Sequence, residues 1–581
     1  MITPCNDLAE RTGTMSNTIK LTALLVCGLA LGVGNCIFPY FAMRNHLLAW
    51  NLVFGTVAAF AIAAWSRSPM LRAFPIRLVL PAALIATFFA QAASQAWWPN
   101  SADEYGYLFL ADTLWHGRLW NAAPPVPQIF DVIWICLKNG EWFSQYPPAW
   151  PALLAPFHAA HLAFLVNPLL GFLLGALSWH ALRGLAVEAA TAACLVALLV
   201  FSPFVAFNAA SLFPHVMTAV LVIGIVILQD RDEKYAASPT TSWMPRNWGD
   251  KAGIGALFGI LLLTRYDCFL LTAACYGIDR LWRRRLALLA DAIPMAAGAI
   301  PGIAIFLAYN AAITGHPLTT PYAWASPGAS VGLPIAELGL SRALLDAIMQ
   351  SARWAGELVW FTSLILIAAY AIALTSKLRA RTLRWYDLLL PACLAFFFFY
   401  PHDGGHGFGP RYWFLGWPTA ILTIGTGLRI ESDWIKLGKL RLHTPTLALA
   451  HLPVFAGVAI TLAIFQNSYV TQRRQPYRDT PPLRPAIVLI PSRAIMITPI
   501  QSAPINIWAE DFARNGVDFG GQTLYSMADL HHENTTEYAN IACTIPARHV
   551  FRWVAPARFV PVGCKEGQGA LPPGPPLRTG P

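Results

Sequence analysis

Charge is scarce in this chain: only 12% of its 581 residues are Asp, Glu, Lys or Arg, against 56% hydrophobic residues. Mean hydropathy is +0.50. A soluble domain needs more polar surface than that, so a fully water-soluble protein is excluded and much of the chain must face lipid. A Cys-x-x-Cys pair is missing altogether, and the ten cysteines offer no metal-ligand spacing. Cys27, Cys36, Cys194, Cys268, Cys275 and Cys393 lie in apolar runs, where cysteine is a small hydrophobe. Only Cys543 and Cys564 share a polar segment, and they are expected to pair if it lies in an oxidising compartment. Internal repeats and a nucleotide-binding Gly loop are also lacking. The net charge of +10 sits mostly in short Lys/Arg clusters between apolar runs, as in membrane-protein loops, so nucleic-acid binding drops out.

What is present is a series of apolar runs near the length needed to cross a bilayer. The expected spans are Ile19–Ala42, Leu47–Ser66, Ile76–Ala96, His161–Leu182, Ala189–Phe207, Leu212–Gln229, Ala287–Tyr309, Leu358–Thr375, Tyr386–Tyr400, Tyr412–Leu428 and Thr446–Phe465. The first is too long for a signal-peptide core and reads as an uncleaved span. A further run, Ala252–Ile278, is broken at Thr264-Arg265-Tyr266-Asp267 and reads as two short half-spans meeting at Arg265, giving thirteen crossings. Arg67, Arg72 and Arg77, the Arg280–Arg285 cluster and Lys377–Arg384 fall on one side of this arrangement, placing the N-terminus inside. The fold class expected is an all-α polytopic membrane protein with a small C-terminal α/β domain outside. Its division is a transmembrane domain over 1–466 carrying the long outer loop 97–150, an outer domain over 467–566, and a disordered Gly/Pro-rich tail over 567–581.

In the outer loop, Ala102–Gly117 reads as a helix, Ala122–Pro127 as a Pro-rich turn, and Tyr146-Pro147-Pro148 as the lead back to the membrane. In the tail, Ala486–Ile490, Thr523–Ser526 and Val550–Val554 read as strands and Glu533–Ile541 as a helix.

Three outer-face segments carry candidate chemistry. The first holds Asp103 and Glu104 at a helix start, where a carboxylate could act as general base or metal ligand. Against that, Ser101-x-x-Glu104 is also a capping box, and Asp103 complements the helix dipole. The second is Asp403–Tyr412, a Gly-rich loop that can approach a phosphate and that ends in Arg411, whose planar fork suits one. His402 and His406 flank Asp403 there and leave a divalent metal open. The third is Arg265, an isolated charge in an apolar run, for which a site role competes with pairing to Asp267. His215, at the outer start of a span, could face the same cavity.

Taken together, DEYGYLFLADTLWHGRL, NGEWFSQYPPAWPALLAP, LLLTRYD, GGHGFGPRYWFLGWP and the tail piece NGVDFGGQTLYSMADL resemble the bacterial GT-C glycosyltransferases of the protein-mannosyltransferase type, family 39. These include RgtA/B/C/D-like enzymes and lipid A aminoarabinose transferases. The resemblance spans Asp103 to about Val554. It implies a GT-C fold in a bacterial inner membrane and inverting transfer of one sugar from a polyprenyl-phosphate donor on the periplasmic face. Asp103 would activate the acceptor hydroxyl and Glu104 would fill the second acidic position. Arg265 and Arg411 would hold the donor phosphate, with Tyr146 and His215 lining the donor cavity beside them. The acceptor, whether lipid, glycan or protein, is left open. Ala149 stands where the family often has Gly, and His402 and His406 replace more variable residues. The rival from another class is a transporter or flippase of lipid-linked sugars. An oligosaccharide ligase or polymerase and a non-catalytic scaffold are further readings.

Overall fold

The computed structural model of the protein describes residues 75–130, 132, 134–237, 248–284, 288–325, 338–400, 408–428, 440–478, 480–490, 514–527, 535–554 and 558–564. It also describes the short pieces 26, 28–30, 335, 430–431, 434–437, 493–496 and 505–508. The expected spans Ile19–Ala42 and Leu47–Ser66 lie almost wholly outside the described residues, as do the tail 567–581 and the loop holding His402, Asp403 and His406.

Among the described residues, four helices are long and apolar enough to cross a membrane: Ile76–Gln95, Ala163–Gly184, Asp291–Thr314 and Leu447–Asn467. Two bent pairs pass the same test, Ala189–Val200 with Pro203–Ala209 at 61° and Leu340–Phe361 with Leu364–Arg379 at 108°. Both pairs correct an expectation of one straight span: Ala189–Phe207 breaks between Val200 and Pro203, where Ser202 caps the second helix. The run Leu358–Thr375 does not form one straight span, because the helix stops at Phe361 and restarts at Leu364. Ser363 caps the new helix, its hydroxyl accepting from the Ile365 amide at 3.0 Å. Thr446–Phe465 is longer than expected, a single helix from Thr444 to Arg478 that runs past the boundary expected at 467.

The broken run is a helical hairpin. Trp248–Thr264 and Tyr266–Arg284 meet at Arg265. At their far ends, Lys251 and Arg280 both reach Asp291, at 2.5 and 2.7 Å. Asp232 and Glu233, near the end of helix His215–Ala237, join the same cluster through Arg280, and Arg384 reaches Glu233. The basic residues therefore gather at one end of the helices, and Arg265 and His215 lie at the other.

Helix Trp248–Thr264 packs very closely on helix Leu288–Thr314 through glycines. A Cβ on Gly255 would lie 1.9 Å from the Met295 carbonyl oxygen, and one on Gly298 1.9 Å from that of Ala252. Gly259 and Gly302 face each other in the same seam.

The first loop and the tail share a core. Ile135–Lys138 and Glu141–Ser144 form a hairpin turned at Asn139-Gly140, both with positive φ. In the tail, Ala486–Ile490 pairs in parallel with Thr523–Met527 and with His549–Val554, which pairs antiparallel with Arg558–Pro561. Tyr105, Phe109, Ile129, Phe130 and Trp142 of the loop pack with Val488, Phe519, Leu524 and Trp553 of the tail. The Tyr105 hydroxyl donates to the Asn515 carbonyl at 2.8 Å. Cys543 and Cys564 form a disulfide, with 5.5 Å between their Cα atoms.

Candidate active site

Helix Ala102–Trp115 begins at Ser101, whose hydroxyl accepts from the Glu104 amide at 3.2 Å. Gly117, at φ +69, ends it. The two acids at its start point to different places. Glu104 is 1% exposed, and both its oxygens are taken up by backbone amides. One accepts from Asn100 at 2.6 Å and the other from Leu212 at 2.8 Å. The capping box thus closes one residue earlier than expected, on Asn100 rather than Ser101, and Glu104 bolts the helix to the segment before His215. Burial pushes its carboxyl pKa up, against those two amides and Arg514. Glu104 is not among the residues lining the cavity.

Asp103 lines it. Its Oδ1 accepts from the Tyr146 hydroxyl at 2.6 Å, and its Oδ2 lies 3.6 Å from Arg411 Nη2. Gly106 makes the Tyr146 contact possible, since a Cβ there would sit 2.7 Å from the Tyr146 ring. The Tyr146 carbonyl accepts from Tyr309, and its ring lies 4.3 Å from that of Tyr107. Burial first, and then the Asp103 charge, pushes the Tyr146 phenol far up, so it remains a donor.

Arg411 follows Gly409, whose φ of +73 and close approach to Phe361 and Phe204 require glycine. Its guanidinium stacks 4.3 Å over Phe213 and 5.5 Å from Tyr412. Arg411 is 7% exposed, and its Nε and Nη1 have no hydrogen-bond partner among the described residues.

Arg265, at the hairpin vertex, is gripped by Asp267 through Nε at 3.1 Å and Nη2 at 2.5 Å. The pairing with Asp267 weighed from the sequence is therefore present, and Arg265 also lines the cavity. Its Nη1 lies 2.6 Å from His215 Nε2. A guanidinium only donates, so His215 Nε2 must accept and the ring proton sits on Nδ1.

Asp103, Tyr146, His215, Arg265 and Arg411 thus share the wall of one cavity of about 250 Å³. Sequence reading passed over most of its lining. Besides Tyr146 it includes Tyr107, Tyr266, Tyr322, Tyr400 and Tyr412, with Phe213, Phe396 and Phe397. Tyr107, Tyr266 and Tyr412 sit in the segments singled out from the sequence, while Tyr322, Tyr400, Phe396 and Phe397 lie outside them and no local spacing marks them. The chemistry available is one carboxylate held by a phenol, facing two guanidinium groups in an aromatic enclosure. Among the described residues no three His, Cys, Asp or Glu side chains are grouped to hold a metal ion.

No protein-family model matches the chain, and no characterised protein matches it in sequence. Solved structures are similar in shape. The chain is similar to ArnT from Cupriavidus metallidurans bound to undecaprenyl phosphate, at 12% identity and TM-score 0.49 over 82% of this chain and 93% of that one. For the apo state of the same protein the figures are 13%, 0.47, 82% and 92%. The oligosaccharyltransferase AglB from Archaeoglobus fulgidus, in complex with an inhibitory peptide and a dolichol-phosphate, matches at 11% identity and TM-score 0.42 over 71% of this chain and 62% of that one.

Proposed function

We propose that this chain is a polytopic membrane glycosyltransferase of the GT-C kind. It moves one sugar from a polyprenyl-phosphate carrier to an acceptor hydroxyl, with inversion, at the periplasmic face of a bacterial inner membrane. The observation that carries the reading is Asp103 and Arg411 side by side in the aromatic cavity, the carboxylate oriented by Tyr146 and the guanidinium with two nitrogens, Nε and Nη1, still unpartnered among the described residues.

A carboxylate that takes the acceptor's proton lets its oxygen attack the anomeric carbon from the face opposite the phosphate. The bond from that carbon to the phosphate oxygen breaks, and polyprenyl phosphate leaves with the electron pair. The departing negative charge is offset by Arg411 and, on its other flank, by Arg265. A guanidinium held by Asp267 and His215 is pre-oriented for this. The gathering of basic residues at the opposite end of the helices supports placing the cavity at the outer face. The shared core supports placing the tail on the same side as the first loop.

The test is single-turnover transfer from a purified polyprenyl-phosphate sugar, with lipid, glycan and protein acceptors in parallel. Asp103→Asn should lower the rate about a hundredfold to ten-thousandfold with the unfolding temperature unchanged. Arg411→Ala should weaken donor binding. Wild-type transfer in Asp103→Asn would overturn the mechanism. Sugar-lipid flux across proteoliposomes with no transferred product would put the flippase reading in its place.

A further inference from the structure

Helix Leu340–Phe361 has three faces. Ala343, Ala347 and Trp354 are buried against the protein. Arg342, Asp346, Arg353 and Glu357 form a polar stripe, paired along the helix as Arg342–Asp346 and Arg353–Glu357. The remaining face steps by four through Leu340, Leu344 and Ile348, with Leu345 and Met349 beside it, and these five are 40–64% exposed. None of the described residues covers that apolar face.

We propose that this helix lies in the plane of the bilayer interface, its Leu340–Met349 face sunk among lipid headgroups and upper acyl chains and its charged stripe in water. Three observations point to lipid as the occupant. First, the helix is about 33 Å long, enough to span a bilayer, yet two cations and two anions are strung along one stripe of it. A spanning helix would drag them through the hydrocarbon, and an in-plane helix does not. Second, the 108° bend sets it nearly perpendicular to the apolar helix Leu364–Arg379, so that where that helix crosses the bilayer this one runs along it. Third, the stripe is electrically balanced, so apolar burial rather than attraction to anionic lipid holds it down.

This gives the cavity a fixed depth. Trp354 on the buried face packs 5.7 Å from Tyr412 and 5.5 Å from Trp413, so the wall carrying Arg411 rests on a helix that floats at the interface. The placement rests on exposure, charge patterning and the bend, and stands whether or not the chain transfers sugars.

Single cysteines at Leu345, Met349, Arg342 and Arg353 are to be spin-labelled in the full chain, in phosphatidylcholine nanodiscs with and without phosphatidylglycerol. The labelled parent protein is measured alongside, to subtract native thiols. At Leu345 and Met349, relaxation should be dominated by oxygen, which concentrates in lipid. At Arg342 and Arg353, a water-soluble nickel chelate should dominate. The ordering should survive high salt and both lipid compositions. Equal access of the nickel chelate at all four sites would overturn the proposal. Labels at Leu345 and Met349 shielded from both reagents would mean that protein, either a second copy or a partner, covers the face instead.

Discussion

Two adjacent carboxyl groups with different surroundings make different demands on a substitution. Glu104 accepts from two backbone amides at once, so Glu104→Gln turns an NH2 group toward one of them and leaves it without an acceptor. An unsatisfied buried donor costs about 1–3 kcal/mol. The variant should melt earlier than wild type in thermal unfolding, and any loss of transfer should follow the loss of folded protein. Because burial raises the Glu104 pKa above 4.5, the folded state holds that proton more tightly than the unfolded one. The stability linked to this proton is present at acid pH and is lost as pH rises through the raised value. The wild-type advantage over Glu104→Gln should therefore shrink with rising pH, and a gap that widens instead would contradict the burial argument. Tyr146→Phe removes one hydrogen bond to the Asp103 charge and little volume. The bond to a charged group contributes about 1.5–3 kcal/mol, so the variant should melt somewhat earlier, and with its base less firmly oriented its transfer per folded molecule should also fall. An unchanged turnover rate would show that Asp103 is held in place by other contacts.

At the scale of elements, the glycine seam between Trp248–Thr264 and Leu288–Thr314 gives a sharp contrast. Even Gly298→Ala places a methyl group against the Ala252 carbonyl, and the helices must part, at a typical overpacking cost of about 1–3 kcal/mol. Gly277, in the other arm of the hairpin, has open space around it. Gly277→Ala should leave stability unchanged or raise it by up to about 1 kcal/mol, since alanine is the better helix former. Equal melting temperatures for the two variants in the same detergent would argue against the close seam.

The elements also show what the sequence made readable. The break at Arg265 stood out because polar residues interrupt an apolar run, and the tail strands because short β-rich stretches sit between turns. Their extents, Ala486–Ile490, Thr523–Met527 and His549–Val554, lie within a residue or so of expectation. The bend at Thr362–Ser363 was hidden, since hydropathy runs on through it and only the cap at Ser363 marks it. The hairpin at Asn139-Gly140 carried a turn signal that went unread. Tyr322 and Tyr400 had no local signal at all, because tertiary packing alone brings them to Tyr107 and Tyr146.

At the scale of the whole molecule, the tail is built into the site's foundations. Arg514 donates to the carbonyls of Pro99 and Ser101, one turn before Asp103. The Cys543–Cys564 bridge ties the helix beside the tail sheet to its edge strand Arg558–Pro561, closing a loop of 21 residues. Such a loop contributes about 3 kcal/mol. Reduction should lower the unfolding temperature of the tail before that of the helices, read by proteolysis against a mass ladder. If both thiols alkylate freely without reductant, the bridge does not form in the protein as made.

Asp103 and Glu104 are successive residues of one helix, so their side chains are about 100° apart around its axis. Glu104 fixes the angular phase of that helix by its two amide contacts, and Asp103 inherits its heading from its neighbour. The five-residue stretch from Trp97 to Ser101 is pinned at both ends, by Arg474 to the Ala96 carbonyl and by Arg514 to that of Ser101. One residue more or less just after Ser101 would turn the carboxylate about a quarter of a turn away from Tyr146 and Arg411, with every side chain of the cavity still present. Length in this segment is therefore as tightly determined as identity, and chain drift here would be read by the molecule as a change of direction.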